Sequence, residues 1–197
     1  MPHATINGQR TFWEQFIWLL SLSGLGEGKN TVIAGAGNDE IYTGANDDII
    51  NAGGGNNLIY AGEGKNTINT GTGNDTIYTG ADDDFIYASA GDDLIYAGEG
   101  DNIIYGGTGN NTVYSGSGHD LFVLSAGEGP STLSNFEVGK DVFGLAEGLS
   151  FEQLSITQGS NGHEFFTQIG IANSDDLLAT LNWVQADSIT SSSFAFV

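Results

Sequence analysis

The chain has 197 residues, 25 of them acidic and only 4 basic, for a net charge of −21. That imbalance excludes nucleic acid and anionic membrane as partners and points to cations. The absence of cysteine excludes a disulfide framework and thiolate metal sites, and no apolar run reaches the roughly 20 residues of a spanning helix, so no transmembrane segment is expected.

Residues 1–24 read as an N-terminal helical cap. Within them TFWEQFIWLLSL (11–22) carries Thr11 and Glu14 at capping-box spacing, with Phe12, Trp13, Phe16, Ile17 and Leu20 at helical spacing. A lid over an open first coil is the plain role of such a helix. Membrane-surface anchoring is the sharper alternative, opposed by its shortness and lack of Lys and Arg. Arg10 precedes an apolar stretch too short and aromatic for a secretory signal, with no small-x-small cleavage site after it. An exported chain would need its address elsewhere.

Residues 25–126 are dominated by eleven nine-residue units in unbroken register over 25–123. Each reads small-Gly-x-Gly-x-Asp/Asn-x-aliphatic-x. Position eight is Val32, Ile41, Ile50, Ile59, Ile68, Ile77, Ile86, Ile95, Ile104, Val113 and Phe122. A strict apolar phase opposes disorder as the reading of so much charge, and a fixed period decides the architecture before local propensity does. One unit supplies a glycine turn and a three-residue strand such as Glu40, Ile41, Tyr42, with the central side chain inward. Two units, eighteen residues, then make a coil of strand, turn, strand, turn. Consecutive units fall on opposite sheets, and units two apart stack. The expected fold is all-β: a parallel β-roll, a two-sheet right-handed solenoid with two nonapeptides per coil. A longer period of 36 (LGEGKNTVI, AGEGKNTIN, AGEGDNIIY) reads as duplication history.

The turns are chemically pointed. Glycines let backbone carbonyls converge, and position six adds a carboxylate or amide oxygen. Ca²⁺, with its six to eight oxygen ligands, suits such a cage better than Mg²⁺. The units GAGNDEIY (35–42) and GTGNDTIY (71–78) resemble the repeats-in-toxin (RTX) nonapeptide GGxGxDxUx, a hemolysin-type calcium-binding β-roll signature. The resemblance covers half the chain. It implies ions held between stacked turns, with glycines such as Gly35, Gly37, Gly71 and Gly73 in the cages. One edge stacks Asn30, Asp48, Asn66, Asp84, Asn102 and Asp120; the other stacks Asp39, Asn57, Asp75, Asp93 and Asn111. Five gaps on one edge and four on the other set a ceiling of nine ions. Only the Asp75/Asp93 gap joins two position-six carboxylates, so it is expected to bind most tightly. Lys29 and Lys65 at position five are expected to weaken nearby sites. Asn46, Asp82 and Ser89 stand where glycine is expected, and turns bent but intact are predicted there. A metal-free solenoid of plain Gly/Asn/Asp turns is the bland alternative.

All seven tyrosines sit at position nine. Tyr42, Tyr60, Tyr78, Tyr96 and Tyr114, eighteen apart, are expected to form one outward ladder. Sheet reinforcement explains such a ladder; a polysaccharide-binding or cell-surface contact face is the alternative. Ice binding fits poorly, because position three lacks flat Thr or Asn rows. His3, His119 and His163 fall in no zinc or triad motif, so no enzyme is expected.

Residues 127–197 lose the period and are expected to cap the roll. Phe136, Val142, Phe143 and Leu145 suggest strands on the last coil, and Asp141 is a candidate ligand for a terminal ion. The closing small polar run and apolar tail (194–197) resemble the C-terminal address read by type I secretion machinery; a last β-strand explains them equally well. Together these features imply a secreted, extracellular protein that folds on binding Ca²⁺.

Overall fold

The computed structural model describes residues 28–197 and three two-residue strands nearer the N-terminus: β1 (Thr5–Ile6), β2 (Arg10–Thr11) and β3 (Ser21–Leu22). The helix expected over 11–22 falls mainly on residues outside that description; its flanking positions are the strands β2 and β3.

Each nonapeptide from residue 25 to 123 contributes one short strand, β4 to β14, beginning with β4 (Thr31–Ile33) and β5 (Glu40–Tyr42) and ending with β13 (Asn111–Tyr114) and β14 (Leu121–Leu124). Alternate strands build alternate sheets. Even-numbered strands form one face and odd-numbered strands the other, all parallel within the repeat. Paired residues lie two units apart: Ile50 pairs with Ile68 and Ile86 with Ile104 on one sheet, and Ile41 with Ile59 and Ile77 with Ile95 on the other. The result is a parallel β-solenoid of about six turns.

The core is thin. Position eight supplies a fully buried column on each sheet, and position one supplies the small residues Ala52, Ala61, Ala88 and Ala97. Burying each Ile is worth roughly 1.5–3 kcal/mol. Where position one is threonine, its hydroxyl must be satisfied. Thr43 donates to the Ala61 carbonyl and Thr70 to the Ala88 carbonyl, both at 2.7 Å, so each side chain staples its coil to the next.

Beyond the repeat the solenoid continues with longer connections. Strands β15 (Ser131–Ser134) and β16 (Val142–Leu145) add to the two sheets, followed by β19 (Leu177–Asn182) and β20 (Phe194–Phe196). In the pairings Val113–Leu133 and Phe122–Phe143 the partners are further apart in sequence than two nonapeptides, and unequally so. Phe136, Phe143, Leu145 and Leu133 bury themselves on the last coil, as expected of a cap. The long hairpin of β17 (Leu154–Asn161) and β18 (Glu164–Ile171) packs antiparallel on β19 and ends that sheet.

Candidate metal centre in the glycine turns

Stacked turns approach so closely that two positions exclude a side chain. A Cβ on Gly71 or Gly73 would overlap the carbonyl of Gly53 or Gly55 one coil earlier, and both glycines have positive φ (88° and 120°). Asn46 and Asp82 keep this left-handed geometry without being glycine (φ 77° each), as their residue types predicted, and Ser89 adopts it as well (φ 73°). The turn backbone is laced coil to coil. Thr72 N–H donates to Gly53 O at 3.1 Å and Gly73 N–H to Ala90 O at 2.8 Å. These bonds occupy the position-two and position-three carbonyls. Among the described residues no backbone N–H reaches a position-four carbonyl.

Over these turns lie the position-six side chains. Asn30, Asp39, Asp48, Asn57, Asn66, Asp75, Asp84, Asp93, Asn102, Asn111 and Asp120 are all buried, none more than 5% exposed. From Asp48 to Asp120 their Oδ1 atoms are spoken for. Asp48 Oδ1 accepts the Asn30 N–H, Asp75 that of Asn57 and Asp84 that of Asn66, each at 2.7 Å; Asp93 accepts that of Asp75 at 2.8 Å. The Oδ2 atoms of Asp48, Asp75, Asp84 and Asp93 are also buried and accept no hydrogen bond. An unsatisfied buried carboxylate oxygen is costly. Burial accordingly pushes the Asp84 and Asp120 carboxyls up to about 6 and that of Asp93 up to about 7, against the opposing pull of backbone N–H donors. The charge of Asp75 raises Asp93 further, and Asp75 is itself raised by burial.

The turns of Asp48, Asp75, Asp84 and Asp93 therefore each present an unpaired carboxylate oxygen and an unpaired position-four carbonyl in a tight recess. Those donors are all hard oxygens with net negative charge, which fits Ca²⁺. Among the described residues no three His, Cys, Asp or Glu side chains converge on a point, so the turns depend on backbone oxygens to complete a coordination shell. Asp75 and Asp93 are the one adjacent pair in which both carboxylates carry an unpaired Oδ2.

The asparagine turns differ in a way that counting their amides only as uncharged oxygen ligands did not foresee. Their amide N–H groups donate to the glycine carbonyls of their own turn: Asn66 Nδ2 to Gly64 O at 2.8 Å, and Asn57 Nδ2 to Gly55 O at 3.1 Å. Recognising this from sequence would have required weighing the amide as a donor as well as an acceptor.

Position five also forms ladders. Lys29 and Lys65 turn outward and pair with Asp47 and Asp83 of the next coil at 2.5 Å. Their charges are spent on the exposed rim, away from the buried recesses. On the other edge Asn56 N–H donates to Asn38 Oδ1 and Asn74 N–H to Asn56 Oδ1. At the end of the roll Asp141 takes the place of a position-six residue. Its carboxylate accepts N–H bonds from Asp120 at 3.0 Å and Glu137 at 2.8 Å, which occupies both oxygens. His119, beside Asp120, faces solvent and contacts Asp101.

On the odd-numbered sheet Tyr42, Tyr60, Tyr78, Tyr96 and Tyr114 stack with ring centroids 4.7–4.8 Å apart and planes within 7° of parallel. The spacing is that of the strands beneath. Tyr42 hydroxyl donates to Glu40, and this bond pushes its phenol up to about 12. On the other sheet Tyr87 and Tyr105 are tilted by 59° and do not stack.

With this geometry in view, the family model of the RTX calcium-binding nonapeptide repeat (4 copies) matches residues 25–59, 60–95 and 87–122. No curated protein matches the chain. Among solved structures, the AlgE6R3 subunit of the Azotobacter vinelandii mannuronan C5-epimerase is similar with a TM-score of 0.43 and 15% identity, over 59% of this chain and 78% of that one. Extracellular lipase LipA from Serratia marcescens is similar with a TM-score of 0.39 and 13% identity; the match takes in 87% of this chain and 40% of the lipase. The AlgE6R2 subunit of the same epimerase gives a TM-score of 0.34 and 15% identity, over 79% of this chain and 91% of that one. The eleven-unit array, matched over residues 25–122, is an RTX calcium-binding nonapeptide-repeat β-roll.

Proposed function

We propose that this chain is a secreted, non-enzymatic calcium-binding β-roll that folds as Ca²⁺ enters its aspartate turns, after export through type I secretion machinery. The observation that carries the reading is the set of buried, unpaired Oδ2 atoms on Asp48, Asp75, Asp84 and Asp93. Bound Ca²⁺ would supply the positive charge and oxygen coordination that these recesses lack. Without it the carboxylates, in a chain of net charge −21, oppose the compact state. A thin core of one aliphatic residue per unit offers little to offset them. Ligands that bind only the folded state stabilise it by mass action, and several sites add. The chain is thus suited to remain open at cytosolic Ca²⁺ and to close at the roughly 10⁻⁴–10⁻³ M at which extracellular calcium modules bind. The Asp75/Asp93 recess, with two carboxylates, is proposed to fill first. The apolar C-terminal segment following a serine run supports a type I secretion address.

The polysaccharide reading of the tyrosine ladder fits the geometry less well. Sugar stacking needs ring faces, and here the internal faces are covered by neighbouring rings, leaving edges and hydroxyls outward.

Circular dichroism and calcium titration test the proposal. In EDTA the β signal should collapse and return in millimolar Ca²⁺ with several ions bound per chain. An unchanged spectrum in EDTA together with no calorimetric Ca²⁺ uptake would overturn it.

A further inference from the structure

Position six sorts the roll into two kinds of turn. In four of the asparagine turns the amide nitrogen donates to the position-four carbonyl of its own turn: Asn30 to Gly28 O at 2.7 Å, Asn66 to Gly64 O at 2.8 Å, and Asn57 and Asn102 to Gly55 O and Gly100 O at 3.1 Å. Asn111 reaches the position-two carbonyl of Gly107 at 3.3 Å. Two of these amides also bond across to the next coil. Asn30 Nδ2 donates to Asp48 Oδ1 at 3.0 Å and Asn102 Nδ2 to Asp120 Oδ1 at 2.9 Å. The amide nitrogen therefore stands in the gap between its own turn and the coil that follows, bonded to oxygens on both sides.

The orientation of these amides is fixed by their other end. Asn57 Oδ1 accepts the Asp39 N–H at 2.9 Å, and Asn66 Oδ1 accepts the Asp48 N–H at 3.0 Å. A reversed amide would set NH₂ against N–H and oxygen against carbonyl. Aspartate has the same shape and makes the same Oδ1 bond, so its Oδ2 occupies the place of Nδ2. There it meets a carbonyl with nothing to donate. The position-four carbonyls of Asn46, Gly73, Asp82 and Gly91 accept no hydrogen bond among the described residues, and the Oδ2 atoms above them are unpaired.

We infer that the asparagine amide is a built-in substitute for the cation: asparagine turns close their gap without metal, and only aspartate turns require Ca²⁺. This rests on the calcium reading above and deepens it. Of the nine gaps in the roll, the four that follow Asn30, Asn57, Asn66 and Asn102 hold an N–H donor and take no ion. The five that follow Asp39, Asp48, Asp75, Asp84 and Asp93 are the calcium sites, Asp39 being placed among them by residue type. On the first edge, metal-free and metal-bound layers alternate. The asparagines thus supply a scaffold that is partly closed before any ion arrives.

The test exchanges the two residue types in the full-length chain. Asn66→Asp should raise the calorimetric stoichiometry by one Ca²⁺ per chain and raise the Ca²⁺ concentration at which the β signal returns. Asp84→Asn should lower the stoichiometry by one and lower the Ca²⁺ concentration at which the β signal returns. The paired variants keep the test decisive, because Asn66→Asp can be measured in Ca²⁺ even where it does not fold without it. Unchanged stoichiometry in both variants, or a wild type that binds nine ions in the roll, would overturn the inference and leave the calcium reading standing. A wild type that binds no Ca²⁺ would overturn both.

Discussion

At the scale of single residues, the turns are governed by which oxygens lack a proton donor. Asp84, Asp93 and Asp120 have carboxyls raised by burial to about 6, about 7 and about 6. A raised folded value means that the protonated form is favoured by folding. Stability from these groups is fully present below the ordinary carboxylate range near 4 and is lost as pH rises through 6 to 7. In EDTA, then, acidifying from pH 8 to pH 4.5 should bring back part of the β signal, the reverse of ordinary acid denaturation. With saturating Ca²⁺ the trend should invert, because protons then compete with the ion for the same oxygens. Circular dichroism across that range checks both limbs, and a β signal in EDTA that stays absent or falls further with acid would contradict the account. Position six was legible in the sequence as the chemically active column, because its nine-residue phase is unbroken from Asn30 to Asp120. The difference between its two residue types was not, because it depends on where the second side-chain atom points, and only the stacked coils define that.

At the scale of the element, a three-residue strand is worth little alone and draws its stability from the strands above and below. The side chains follow the same rule. Ile77 and Ile86 lie fully buried between copies of themselves, while the tyrosines repeat the arrangement on the outer surface. Ile86→Ala should cost about 2–5 kcal/mol by chemical denaturation in Ca²⁺, since it opens a cavity in a core one residue wide. Tyr78→Ala should cost less, roughly 0.5–1.5 kcal/mol beyond its lost area, and leave calcium stoichiometry unchanged. Equal costs for the two would show that the outer ladder carries as much of the sheet as the core. The two-unit coil, the inward phase of position eight and the tyrosine ladder were all readable from spacing by subtraction. The cap was read only as apolar residues. Its partners are separated by longer and unequal stretches of chain, which erases the fixed phase. Neither the hairpin from Leu154 to Ile171 nor the return of β19 to the sheet therefore left a periodic trace.

For the whole molecule the decisive quantity is charge and where it resides. Part of it lies on the rim, as in the Lys29–Asp47 and Lys65–Asp83 pairs, and such exposed pairs contribute about 0–1 kcal/mol. Part is buried at position six, where screening by salt is weak. Adding about 1 M NaCl, for which the Debye length is about 3 Å, to the EDTA-treated chain should therefore recover little of the β signal, whereas millimolar CaCl₂ should restore it. Recovery by NaCl alone would mean that diffuse repulsion across the surface, and not the unpaired oxygens, holds the chain open.

The antiparallel hairpin at the end of the odd-numbered sheet has a consequence of its own. A column of identical parallel strands is a template onto which another molecule's strands can add without limit, as in a fibril. β18 reverses direction, and the edge strand β17, eight residues long, offers a newcomer a ladder whose length and period differ from those of the short repeat strands. The repeat can therefore be as regular as its ion sites require while that end of the sheet stays closed to polymerisation.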